Sequence, residues 1–158
     1  IFKSNVTGID KGTRNSPGGK KANYIMDDNY GTITKNEING IYGLYNKSID
    51  KNNLIEVGDS TSIKLGKAYF TTVIENDTKE TFEINILKVN KDVATKNIFF
   101  EITDEKLLKK TKGIVQGMSG SPIIQDGKII GAVTHVVVDD FSKGYGIFIT
   151  SMLKEIEN

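Results

Sequence analysis

Gly117-Met118-Ser119-Gly120-Ser121-Pro122-Ile123-Ile124-Gln125-Asp126-Gly127-Lys128-Ile129-Ile130-Gly131-Ala132-Val133-Thr134-His135 decides how the rest of the chain is read. Ser121 to Gln125 and Lys128 to Val138 read as strands joined by the Asp126-Gly127 turn. The segment Gly117 to Pro122 leads into them. Acyl transfer by a serine needs an exposed hydroxyl, a base to take its proton, and backbone N–H groups facing the developing oxyanion. A tight Gly-x-Ser-Gly turn meets the first and third needs. Gly117 can aim its N–H inward in a conformation that a side chain would hinder. Ser119 is therefore the candidate nucleophile, the N–H groups of Gly117 and Ser119 the candidate oxyanion hole, and Gly120 leaves room for a substrate backbone. The competing reading is a hairpin whose Ser/Gly turn has no chemistry.

Upstream, the clearest strands are Ala68 to Ile74 and Thr81 to Val89, the second alternating apolar and polar with period two. Glu75 to Glu80 is the turn that would make them a hairpin. Ile98 to Ile102 is a further strand. Thr103 or Asp104 caps a short helix through Lys110, with Leu107 and Leu108 facing inward. Gly31 to Thr34 and Gly40 to Tyr45 are short β-like runs, and Asn46 to Asn53 is loop-like. Residues 1–23 read as a loop or arm because Lys11 to Gly19 is dense in turn formers. Downstream, 139–144 reads as loop, Tyr145 to Ile149 as strand and Ser151 to Glu157 as a terminal helix. Many short strands with few helices imply an all-β barrel or sandwich.

The 158 residues suit one domain. With 21 basic and 20 acidic residues the chain is nearly neutral, which gives no electrostatic pull toward nucleic acid or membrane surfaces. Arg14 is the one arginine, so bidentate phosphate recognition is poorly served. The absence of cysteine excludes disulfides, thiol catalysis and Cys-ligated metals. No stretch approaches the roughly 18 apolar residues of a membrane span. Asp27-Asp28 and Asp139-Asp140 read as solvated turns without metal-loop spacing. Gly18-Gly19-Lys20-Lys21 lacks the spacing of a phosphate loop. No metal and no organic cofactor is expected.

The strand, Gly turn and second strand around Ser119 resemble the nucleophile region of chymotrypsin-like serine peptidases. Gly113 to Lys128, Gly131 to Val136 and Gly144-Tyr145-Gly146 are similar, more closely, to the SpoIVB family of stage IV sporulation serine peptidases. Ile102-Thr103-Asp104, Gly40 to Gly43 and Ser16-Pro17-Gly18 are weaker matches. The resemblance implies a chymotrypsin-like double β-barrel, incomplete at the N-terminus, with short helices and a C-terminal helix. It implies an exported endopeptidase that acts between mother cell and forespore, cuts a signalling partner and processes itself. It also implies that residues 1–158 are the C-terminal part of one peptidase domain. The catalytic His segment, any PDZ-like domain and any membrane attachment would lie upstream.

The family's catalytic histidine lies in a Gly-His-Gly segment, and this chain has none. His135 is the only histidine. It is read as an alternative base, as a buried structural residue, or as a wall of the primary specificity pocket. Viral chymotrypsin-like cysteine proteases place a His on the corresponding strand, and one here would favour a polar or acidic residue before the scissile bond. In these enzymes that strand, here Thr134, His135 and Val136, pairs with the substrate backbone. Asp104 matches the family's proposed catalytic acid, and a helix cap is the other reading of it. Ile1 suggests zymogen activation, but Met118 stands where the receiving carboxylate would be. Without its base the chain is expected to be inactive alone. The alternative to a peptidase is a catalytically incompetent domain that holds a peptide or partner by strand addition.

Overall fold

The computed structural model describes residues 1–13 and 16–156. Eleven strands and two short helices follow one another in the order β1 (Phe2–Asp10), β2 (Gly19–Asn29), β3 (Gly31–Glu37), β4 (Gly40–Tyr45), β5 (Glu56–Val57), β6 (Gly66–Val73), β7 (Lys79–Val89), β8 (Ile98–Ile102), α1 (Glu105–Thr111), β9 (Pro122–Gln125), β10 (Lys128–Val137), β11 (Asp140–Phe148) and α2 (Ile149–Lys154). Pairing runs β6-β7-β8-β11-β10-β9 and back to β6, which closes a six-stranded antiparallel barrel. The all-β, chymotrypsin-like reading holds. Residues 2–45 form two separate hairpins, and no second closed barrel forms among the described residues.

The barrel is filled because its strands alternate. Along β7 the side chains of Phe82, Ile84 and Ile86 are buried while Glu83 and Asn85 face outward. Phe70 of β6 is fully buried, with ring centroids 6.1 Å from Phe82 and 6.3 Å from Phe100. Ile98, Ile123, Val133 and Ile147 complete the interior from four other strands. At the β10–β11 seam a side chain at Gly131 would place Cβ 2.3 Å from the Ile147 carbonyl oxygen. The two backbones approach so closely there that only glycine fits.

Three expectations are corrected. Residues 1–23 are not an arm: β1 and β2 form a hairpin, and Val6 exchanges backbone hydrogen bonds with Asn76 at 2.7 and 2.9 Å. The turn formers at Lys11 to Gly19 mark its connection, of which Arg14 and Asn15 lie outside the described residues. Residues 139–144 are not a loop, because β11 already starts at Asp140 after a tight turn. The acidic pairs sit accordingly: Asp27 and Asp28 within β2, and Asp140 at the start of β11. The terminal helix begins at Ile149, and Glu157 lies outside the described residues.

The Phe70 cluster predicts a large penalty for truncation. Phe70→Ala should lower the unfolding free energy by about 3–5 kcal/mol, read as a shift of the urea midpoint at constant slope.

Candidate active site

The segment between α1 and β9 folds as two successive tight turns. The Met118 N–H donates to the Val115 carbonyl at 3.1 Å, and the Ser121 N–H to the Met118 carbonyl at 3.0 Å. Met118 is the apolar anchor of the turn: its side chain is fully buried, and the Val115 N–H points at its sulfur. Gly117 and Gly120 have φ of 92° and 85°, a region that residues with a side chain rarely enter. Sequence on both sides pins the turn. On one side the Gly120 N–H donates to Val133 at 2.8 Å, and the Val133 N–H returns to Ser121 at 2.9 Å. On the other the Gln116 N–H donates to Gly18 at 2.8 Å, and the Lys20 N–H to Gln116 at 3.0 Å.

This geometry leaves Ser119 exposed between two buried neighbours, Met118 and Ser121. Its Oγ donates to the Thr134 carbonyl at 3.2 Å. The N–H groups of Gly117 and Ser119 have no acceptor among the described residues. Both residues are exposed, so these two donors stay open to an incoming oxygen beside the Ser119 hydroxyl.

Thr134 and His135 stand on β10 beside it. The Thr134 hydroxyl donates its one proton to the Tyr145 carbonyl at 3.1 Å. His135 Nδ1 lies 2.9 Å from the Thr134 hydroxyl oxygen, whose proton is committed, and so is the donor, which leaves Nε2 as the acceptor of the neutral ring. Desolvation, with the Lys96 charge as the lesser cause, lowers the His135 pKa below its ordinary value. The buried reading of His135 fails, since the residue is exposed. It lines a cleft of about 420 Å³ together with Ser119, Val133, Ile147, Met152 and Ile41.

Part of that cleft could not be foreseen. Its outer wall is the tip of the β3–β4 hairpin, residues 36–41. Lys35 Nζ and Asn39 Nδ2 hold the tip against α2 by donating to the Glu155 carboxylate at 2.9 and 3.1 Å. These contacts join residues more than a hundred positions apart, and no local pattern announces them. Asp104 is placed elsewhere: its carboxylate accepts the Leu107 N–H at 2.9 Å and caps α1. No hydrogen bond joins it to Ser119 or His135 among the described residues.

A family model, the SpoIVB peptidase S55, matches residues 1–153. The chain belongs to that family, as a SpoIVB-type serine peptidase domain. No curated protein and no solved structure matches it. Among the described residues no helix is long and apolar enough to cross a membrane.

The cap at Asp104 has a stability signature of its own. Asp104→Ala should cost about 1 kcal/mol, whereas Asp104→Asn, an equally good cap, should cost a few tenths of that; thermal unfolding of the two variants separates them.

Proposed function

We propose that the chain, as a member of this peptidase family, carries the nucleophile, oxyanion hole and acyl-side substrate strand of a serine endopeptidase. The observation that supports it most is the pair of unpaired N–H groups, Gly117 and Ser119, flanking an exposed hydroxyl on a turn fixed from both sides. Ser119 Oγ attacks the scissile carbonyl. The carbonyl oxygen becomes the oxyanion and is met by donors whose orientation is set before the substrate arrives. Collapse of the tetrahedral adduct expels the amine and leaves an acyl-enzyme, which water then hydrolyses. Residues 134–136 of β10 pair with the extended backbone on the acyl side.

His135 is read as a wall of the specificity pocket. It makes its hydrogen bond to Thr134, not to Ser119. The base is then a histidine outside this sequence, as family likeness implies. Asp104, the match to the family's acid, spends Oδ1 on the cap, so Oδ2 is the oxygen left to orient that histidine. On this reading the chain alone is inactive. Its substrates are proteins or peptides, its own precursor among them, on the outer side of a membrane. The other reading, a peptide-holding domain without chemistry, is an outcome of the same experiment. A fluorophosphonate probe applied to the full-length protein should label Ser119, and Ser119→Ala should abolish labelling. An unlabelled full-length protein with intact peptide binding would leave only the binding domain. In the labelled protein Asp104→Asn should cut turnover about 10³–10⁴-fold, as loss of a triad carboxylate does; a change under threefold would reduce Asp104 to its cap.

The walls around His135 also set the preference before the scissile bond. Met152 and Ile41 are apolar, and a neutral imidazole offers an acidic side chain no countercharge. At pH 7 peptides with Leu or Met at that position should be cut at least tenfold faster than those with Asp or Glu. The gap should narrow only as the pH falls below 6.5, the ordinary value under which His135 is held. An acidic preference at pH 7 would sink this reading of the pocket.

A further inference from the structure

Lys20 and Lys21 are adjacent on β2, yet their surroundings differ. Lys21 forms an exposed ion pair with Asp10 at 2.7 Å. Lys20 is half-buried, with its stem lying over Gly117: a Cβ added at that glycine would come within 3.2–3.4 Å of the lysine methylenes. Its Nζ donates to a neutral group, the Thr72 hydroxyl, at 2.7 Å. No carboxylate lies within ion-pair distance of it among the described residues. Burial without a counter-ion pushes this amine down to about 8.

Lys20 lines a cavity of about 440 Å³ together with Thr72, Ser121, Gly117 and Gly120. The groups on its polar wall are donors in search of an acceptor. An ammonium has three N–H bonds, and only one of these is used. The Thr72 oxygen accepts from Lys20, which leaves its own proton without an acceptor among the described residues. The Ser121 hydroxyl has no hydrogen-bond partner among them either. Ser4, Val6, Ala22 and Val73, which also line the cavity, bring no charge. A carboxylate, which only accepts and does so through two oxygens, suits such a wall. A side-chain amide, which is neutral, lacks the charge-assisted bond that a carboxylate would make to the ammonium.

The cavity's place relative to Ser119 says what the carboxylate belongs to. The cleft that holds Ser119 and His135 and the cavity that holds Lys20 meet at the turn 117–121, where they share Gly120, and otherwise draw on different elements. A peptide whose acyl side follows β10 in the first must leave the nucleophile past Gly117, toward the second. We propose that the Lys20 cavity is a subsite that binds a substrate carboxylate on the leaving-group side of the scissile bond. The proposal rests on the reading of Ser119 as nucleophile. The carboxylate is an Asp or Glu side chain or the C-terminus of a short substrate.

Binding to the Ser119→Ala chain tests it without turnover. The probes are acetylated hexapeptides with Leu at the third position and either Glu or Gln at the fifth. Each is made with an amidated C-terminus, and the Gln peptide also with a free one. Affinities are read from amide shifts of Thr72, Gly117, Gly120 and Ser121. The Glu peptide should bind at least tenfold tighter than its amidated Gln counterpart. If the free-ended Gln peptide alone gains tenfold, the C-terminus is the source. Lys20→Met should remove the preference, and Lys20→Glu should turn it toward a peptide with Lys at the fifth position. Thr72→Val, which keeps the lysine and removes one donor, should weaken it about threefold and covers the case in which the Lys20 variants fail to fold. Equal affinity for all three peptides, or a preference that survives Lys20→Met, overturns the proposal. Fluorophosphonate labelling keeps the two readings apart. A labelled full-length protein whose chain shows no carboxylate preference loses the subsite alone. An unlabelled protein whose chain shows the preference loses the peptidase and keeps the anion site.

Discussion

Val133 accepts the Gly120 N–H and returns its own N–H to the Ser121 carbonyl, at 2.8 and 2.9 Å. This exchange makes the turn around Ser119 an extension of the barrel sheet. Up to Ala132 β10 is flanked by β9, from Gly131 onward by β11, and the Val133 side chain is buried in the barrel. A loop with two left-handed glycines would otherwise sample many conformations. Tied at Gly120 and Ser121 to a strand that cannot move without opening the barrel, it has one. The unpaired N–H groups of Gly117 and Ser119 follow from the same tie. The turn's N–H donors to backbone are Met118, Gly120 and Ser121, so Gly117 before them and Ser119 among them keep their donors.

Where sequence patterns are local, they were legible. Period-two burial drew β7, and β4 and β8 have the limits that their apolar runs suggest. The Asp126-Gly127 turn lies where expected, with Asp126 at φ 50° and Gly127 at φ 78°. The Asp104 cap was legible for the same reason, since a cap involves only residues three or four apart. The first hairpin was not. Its strand β2, Gly19 to Asn29, is exposed along most of its length and lacks the apolar alternation that marks a half-buried strand. Such a strand is held by backbone pairing with β1 and by the bridge from Gly19 to Gln116, neither of which leaves a trace in side-chain pattern.

The candidate site divides in the same way. Ser119 and its glycines announce themselves because the chemistry needs those residue types in immediate succession. The walls do not, because a wall needs only size and place. Met152 arrives on α2, the hairpin tip arrives from residues 36–41, and the Glu155 carboxylate that joins them is one ordinary surface acid among many in the sequence. Lys20 is the intermediate case. Its position after two glycines draws the eye, but the phosphate-loop comparison to which that leads is the wrong one. What sets Lys20 apart is the missing counter-ion, which only the packing of β2 against Gly117 and Thr72 exposes.

The hydrogen bonds at Thr134 bear on which histidine could activate the serine. Ser119 Oγ donates its proton to the Thr134 carbonyl, so in this arrangement the hydroxyl is held and not activated. A base must draw that proton away from a peptide oxygen on β10. His135 follows Thr134 on the same strand, and successive strand residues point to opposite faces except where a bulge intervenes. A register shift between Val133 and His135 does intervene, and it lets the ring hydrogen-bond the Thr134 hydroxyl at 2.9 Å. That bond fixes Nδ1 as the donor and spends the bulge on orienting the ring along β10. That tautomer leaves Nε2 free to accept, yet no hydrogen bond joins Nε2 to Ser119 among the described residues. The serine hydroxyl is engaged by the Thr134 carbonyl and the ring by the Thr134 hydroxyl, and on that ground the base is sought off β10.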